Sequence, residues 1–542
     1  MSSYSSHLWR TLDRRCAWRP RRLSLPKLQR QSSYWSRPKW AAGSGLARCR
    51  SLALVAGLGL GIGLGIAFTR DLALQSEEEE QQWRPSAGSL ETAREVGRDL
   101  LQRIKDEVGA PGIVVGVAMD GKEVWSEGFT CRSGLLQGLG YADVENRVPC
   151  KPDTVMRIAS ISKPLTMTAI AKLWENGKLD FDAPVQKYVP EFPEKEYEGE
   201  KVTITVRLLV SHLSGIRHYE KDVKKIQEQK RKDKGQKLVK DTAEPKARQN
   251  KKEFEHEEYY IKEKFENISK SLKLFENDSL VFKPGHQFLY STHAWTLLGA
   301  IVERASQQNF LLLMVKLFRD LDMLRTVPDE NEPIIYKRAR YYTYNEKGRL
   351  VNSPYVDCSY KWAGGGFLST VQDLLKFGNV MLYSYQAGQL QDGHQALLPG
   401  YLKPATMRMI WRPVEKTELN WDRDGSYAMG WGVVEQGQEW GQCRKRRHYL
   451  THTGGSVGAS SVLLILPKVL PISSPGPSGP ETLPQGVVVA VLCNLQSVNL
   501  NATALKIALE FDKVRSAEPS TPTPALPMLA DDINTERARF QE

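Results

Sequence analysis

Cysteine is scarce in this chain. Seven cysteines lie scattered at positions 16, 49, 131, 150, 358, 443 and 493, with no CxxC pair and no Cys/His spacing of a zinc site. That excludes a structural zinc module and a dense disulfide framework, and leaves mostly free thiols with room for one incidental disulfide. Acidic residues are nearly missing from residues 1–50, where Asp13 alone faces twelve Lys or Arg. The formal charge of +12 is therefore concentrated at the start, and the rest of the chain is close to neutral. A folded body with a broad basic face for nucleic acid is excluded on that ground. No internal repeat is present.

What is there begins with an address. Residues 1–51 are rich in Arg and Ser, and Leu8, Trp9 and Leu12 stand beside Arg10 and Arg14 at spacings that form an amphipathic helix, the description of a mitochondrial presequence. A disordered basic tail is the plainer alternative. Residues 52–68 are uncharged and would reach about 25 Å as a helix, the short end for a membrane span. The glycines at 57, 59, 61, 63 and 65 weaken a helix in water but suit close packing in a membrane. The sequence thus predicts a transmembrane or stop-transfer segment at 52–69 and a linker over 70–88. Arginines before the segment and Glu77 to Glu80 after it place the body in the intermembrane space, attached through the inner membrane. The competing topology is a type II secretory protein exposing the sequons at Asn267, Asn277 and Asn501.

The body, 89–515, shows both helical and strand periods. Ala93, Val96, Leu100, Leu101 and Ile104 recur at helical spacing. Residues 112–119 and 122–125 are two strands joined by Asp120-Gly121, while 462–466 and 487–492 are strand-like and 504–511 helical. Both ends of the chain therefore contribute to one antiparallel sheet with helices on it, and the helical middle is an insertion in that domain. Residues 221–252 carry so much charge that a surface loop or solvated helix is expected. Residues 471–484 are a Pro/Ser/Gly loop, and 516–542 a flexible tail.

The chemistry centres on Ser160-Ile-Ser-Lys163. A serine alcohol is unreactive at neutral pH unless a base lies within hydrogen-bond reach. Residues three apart on a helix share a face, and a buried lysine gives up its proton more readily. The pattern alone is weak, since 24–27 and 36–39 also match it. Tyr290-Ser291-Thr292 adds a phenol, and His452-Thr453-Gly454-Gly455 precedes a strand whose glycines let a substrate approach the backbone. The N–H groups of Ser160 and Gly455 are candidate oxyanion donors. Taken singly, Tyr290 reads as a packed aromatic and His452 as a surface histidine.

Together with Gly140-Tyr-Ala-Asp-Val-Glu-Asn-Arg147, Leu209-Val-Ser-His-Leu-Ser-Gly215, Gly364-Gly-Gly-Phe-Leu-Ser-Thr370 and Met429-Gly-Trp431, these motifs stand in the order of a known family. Over roughly residues 90–512 the chain resembles the class C β-lactamase and penicillin-binding-protein-related serine hydrolases. The resemblance implies an α+β, β-lactamase/transpeptidase-like fold: an antiparallel sheet flanked by helices, with a helical subdomain. It implies an acyl-enzyme mechanism with no metal or cofactor, in which Ser160 attacks, Lys163 activates it and Tyr290 carries the proton to the leaving group. Thr292, His452, Thr453, Gly454 and Gly455 would line the substrate site. Three departures stand out. His452 replaces the usual Lys, making a carboxylate-binding charge conditional on pH. Thr292 replaces Asn, and 129–138 interrupts the run from strand to Gly140. Mitochondrial members of this family look like peptidases, so the expected activity is that of a peptidase or amidase acting on a peptide or other acyl substrate. An esterase of the same fold and a self-associating scaffold, forming a homo-oligomer through the charged insertion, are the competing readings; the complete Ser/Lys/Tyr set disfavours the scaffold.

Overall fold

The computed structural model describes residues 89–128, 140–229, 256–387, 398–438, 445–468 and 483–517. The expected presequence, the 52–69 segment, the interruption at 129–138, most of the charged insertion and the tail beyond 517 lie outside the described residues. Among those described, no helix is long and apolar enough to cross a membrane.

The first helix, α1 (Leu90–Val108), has Ser89 accepting a hydrogen bond from the Thr92 N–H at 3.2 Å, and ends on Gly109 in the left-handed conformation. Serine and glycine are the residues that such helix ends favour. The hairpin of β1 (Ile113–Met119) and β2 (Lys122–Gly128) follows. Asp120 and Gly121 both take positive φ, 48° and 82°, and Met119 pairs with Lys122, the two-residue turn that their identities predict. Five later strands complete the sheet: β3 (Gly425–Tyr427), β4 (Gly432–Val434), β5 (Tyr449–Ser456), β6 (Ala459–Pro467) and β7 (Gly486–Cys493). Its order is β3-β4-β5-β6-β7-β1-β2, with every pair antiparallel, so the two ends of the chain meet at β7 and β1.

The central strands are apolar on both faces, and their period of two sorts them between two cores. Val487, Val489 and Val491 join Leu101 of α1 and Phe511 of the C-terminal helix, whereas Val488, Ala490 and Leu492 face the other way, into the core shared with the helical subdomain. That subdomain is built from α2 (Ser162–Glu175), α3 (Thr292–Ser306) and α4 (Val371–Gln386); α5 (Asn501–Ala517) closes the opposite face of the sheet. Nearly every side chain of α2 is buried, so it runs through the middle of the molecule.

One feature departs from the sequence reading. Residues 223–229 of the charged insertion form a helix, and Ile226 is buried against Val281 and Phe282. The helix fits the expected surface loop or solvated helix, its other residues being exposed or partly exposed, and Ile226 is the departure, a buried anchor. Cys150, Cys358 and Cys493 are free and buried, and burial pushes the last two thiols up to about 12.

A buried ionic cluster fixes the start of α3. Arg217 grips Glu258 with two hydrogen bonds of 2.9 and 3.0 Å, donates to Asp278 at 2.6 Å and to the His218 carbonyl at 2.7 Å. His293 lies 2.8 Å from the same Glu258 carboxylate. The Arg217 carbonyl accepts from the Ser291 hydroxyl, which in turn caps α3. Burial pushes the Glu258 carboxyl up, but the bonds from His293 and Arg217 outweigh it and bring the group from 4.5 down to about 2. A folded-state pKa below the unfolded one contributes stability above pH 4.5 that is lost as the pH falls through about 2. Glu258→Gln, which strands Arg217 beside a half-exposed Asp278, is expected to cost about 3 kcal/mol near neutral pH. Chemical denaturation followed between about pH 5 and pH 2 should show a flatter acid limb in the variant than in the parent chain; parallel limbs would show that Glu258 does not titrate with folding.

Candidate active site

The nucleophile sits where the sheet hands over to α2. Ser160 occupies a 3-10 turn, Ala159–Ile161, that runs directly into the helix. Ala159 has φ of 47°, an unfavourable value for an L residue that costs about 1–2 kcal/mol. The surroundings hold it there. The Ile158 carbonyl accepts from the Ser461 hydroxyl of β6 at 2.8 Å. Gly454 of β5 is packed so tightly against this turn that a Cβ would lie 2.2 Å from Ser461 Oγ and 2.3 Å from the Ile158 carbonyl. Glycine is needed here for close approach.

One turn on, Lys163 is fully buried and its Nζ lies 2.9 Å from Ser160 Oγ. The same Nζ donates to the Gly364 carbonyl at 2.8 Å, in a short helix, Trp362–Gly365. Ser160 itself is only partly buried and opens onto a cleft lined also by Tyr290, Thr292, Thr453, Gly454 and Gly455. The Tyr290 ring centre is 4.6 Å from Lys163 Nζ and 4.4 Å from the ring of His212. The structure thus brings Ser160, Lys163 and Tyr290 together with four of the five expected wall residues.

His452 is the exception. It is fully buried and does not line the cleft. Its Nδ1–H donates to the Thr453 carbonyl at 2.7 Å, which leaves Nε2 to accept from the Tyr427 hydroxyl at 3.0 Å. Burial, then the nearby Lys163, hold it down at about 3. The pH-conditional charge expected from its sequence position is absent: His452 is a neutral brace behind the wall. His212 is likewise buried and held well below the usual histidine range by burial and Lys163. The Ser291 N–H points at its Nδ1 at 3.0 Å, so this ring helps fix the chain beside Tyr290.

Beyond its pairing with β4, which ends where Gly432 meets Thr451, residues 452–456 of β5 have a neighbouring strand among the described residues only on the β6 side. An edge of this kind can pair with an extended chain. Several cleft residues carry no sequence signal of their own: Tyr219, Tyr259, Asn420, Trp421 and Asn499. His218 and Lys361 could have been suspected, since each stands three residues from a recognised Gly motif, at Gly215 and Gly364. The Thr292 N–H donates to His218 Nδ1 at 3.3 Å.

Comparisons with known proteins bear on the family and the fold. Residues 98–510 match the family model described as beta-lactamase. The mouse (Mus musculus) serine beta-lactamase-like protein LACTB, mitochondrial, is 61% identical over 467 residues, covering 80% of this chain and 82% of the mouse protein. Among solved structures, a class C beta lactamase from Rhodobacter sphaeroides superposes with a TM-score of 0.50 at 18% identity, covering 78% of this chain and 99% of that one. An octameric penicillin-binding protein homologue from Pyrococcus abyssi gives 0.52 at 22% identity, covering 78% and 77%. The two structural likenesses speak to the fold alone. With a family model that matches most of its length and a relative this similar, the chain belongs to the beta-lactamase family of serine hydrolases.

Proposed function

We propose that this chain is a mitochondrial serine peptidase or amidase that acts through an acyl-enzyme on Ser160. The observation that carries the proposal is the 2.9 Å contact between a cleft-facing serine and a fully buried lysine. With Lys163 present as the amine, the Ser160 hydroxyl donates to Nζ, and Oγ attacks the substrate carbonyl as its proton passes to nitrogen. Negative charge gathers on the carbonyl oxygen, where the N–H groups of Ser160 and Gly455 would stabilise it. Tyr290 delivers a proton to the departing amine, and the carbon–nitrogen bond breaks to leave the acyl ester on Ser160. Lys163 hands the serine proton on to Tyr290; water then attacks the ester and gives a proton to the Lys163/Tyr290 pair, which passes it to Ser160 Oγ as the ester bond breaks and the acid is released. The open edge at 452–456 suits an extended peptide lying across the serine.

The expected kinetics follow from these roles. Ser160→Ala should abolish acylation by a fluorophosphonate probe and hydrolysis of peptide aminocoumarin amides. Lys163→Ala should slow both by orders of magnitude in a folded protein. Tyr290→Phe should slow turnover by about 10² to 10⁴-fold while keeping the ring in place. Full hydrolysis by Ser160→Ala, in a preparation free of other proteases, would remove the nucleophile and every role built on it.

The mitochondrial part rests on the arginine-rich start and on relatives whose names carry that location. We place the body in the intermembrane space, held by 52–69 in the inner membrane. Protease added to mitochondria after rupture of the outer membrane alone should digest residues 89–515; their survival until the inner membrane is opened would put the body in the matrix.

A further inference from the structure

A group of rings beside Ser160 takes no part in the acyl-transfer steps except through Tyr290. His218 stacks on Tyr219, with ring centres 4.0 Å apart and planes at 29°. It also meets the rings of Tyr290 and Tyr259, each at 6.0 Å, with planes at 82° and 76°. Tyr219 and Tyr259 meet in turn at 4.3 Å and 72°. Planes this close to perpendicular make a corner, and all four residues line the cleft onto which Ser160 opens. Tyr219 and Tyr259 are buried and form its floor, whereas His218 and Tyr290 are half-buried.

The corner is rigid because the buried ionic cluster stands directly behind it. Arg217 and Glu258 adjoin His218 and Tyr259 in sequence, and their ion pair joins the two stems of the charged insertion although the residues lie 41 positions apart. The His218 ring is oriented by the Thr292 N–H at its Nδ1, 3.3 Å away, and by the Tyr259 hydroxyl 3.5 Å from its Nε2. Walls fixed before binding spare a ligand the cost of ordering them. Rings set edge to face accept a further ring in the same geometry, with a gain beyond the apolar area it buries. Aromatic corners can also hold cations. Here no Asp or Glu among the described residues lines the cleft, and the Lys361 cation does, so a positively charged side chain is disfavoured. An extended chain on the open edge at 452–456 sends successive side chains to opposite faces, and only one of two neighbouring substrate residues can reach the corner.

We propose that His218, Tyr219, Tyr259 and Tyr290 form a subsite for an uncharged aromatic side chain of the acyl substrate. Selection in turnover rests on the acyl-enzyme reading of Ser160; binding of the ring does not. The probes are acetyl-trialanine aminocoumarin amides in which the last or the penultimate alanine is replaced by Phe, Leu or Lys. On the full chain, at one of the two positions, kcat/KM for Phe should exceed that for Ala by about tenfold or more and that for Leu by about two- to tenfold. Lys should fall below Phe there, and at the other position the Phe-to-Leu ratio should stay near one. Tyr259→Leu should bring the selective ratio to about one, while Tyr259→Phe, which keeps the ring, should preserve it. A Phe-to-Leu ratio near one at both positions, a preference at both, or a ratio unchanged in a folded Tyr259→Leu overturns the proposal. Should no peptide be cleaved, the serine reading fails, and calorimetric binding of the same peptides decides the subsite by the same ratios. A crystal structure of Ser160→Ala with the selected Phe peptide does not depend on how Tyr259 variants fold: the phenyl ring is expected against His218 and Tyr259, and a ring seated elsewhere overturns the assignment.

Discussion

The Lys163 amine, shared between Ser160 Oγ and the Gly364 carbonyl, is the interaction on which the rest of the structure depends. A lysine nitrogen buried to this degree needs fixed acceptors, and the fold supplies them from two distant parts of the chain. Burying α2 on all sides removes water from Lys163, and the Gly364 helix brings its carbonyl across a sequence separation of about two hundred residues. The sheet contributes a third restraint: β5 and β6 clamp the left-handed Ala159 turn, so that Ser160 faces the cleft while its base stays inside. The antiparallel sheet and the helical subdomain are thus two halves of one vice around a single nitrogen–oxygen contact.

Much of this was legible in the sequence, for physical reasons that differ by element. The hairpin at Asp120-Gly121 was readable because two positive φ values in succession admit few residues. The helix at 90–108 was readable from its apolar period and its Ser and Gly ends. Ser160 and Lys163 were readable because three-residue spacing is local geometry and their chemistry needs no third partner to be stated. The fold followed from ordered motifs whose family the comparisons bear out.

What was not legible depends on burial and on partners far along the chain. His452 reads as a wall residue in the one-dimensional motif, yet Tyr427 and the Thr453 carbonyl use both of its nitrogens. Ile226 lies in a run so charged that a buried residue was not expected, and only the arrival of Val281 and Phe282 from beyond the insertion gives it a core. Tyr259 lies just past the charged segment, where no period marks it, and reaches the cleft because Glu258 beside it is held by Arg217.

The geometry makes Ser160 the one residue through which every proposed step passes, so the direct measurement is where a covalent bond forms. The full chain should be treated with a fluorophosphonate, digested, and mapped by mass spectrometry. The account predicts a single stoichiometric adduct on the peptide containing Ser160, with Ser162 beside it unmodified because its side chain is buried in α2. An adduct on any other serine, with Ser160 recovered intact from a folded sample, would contradict it.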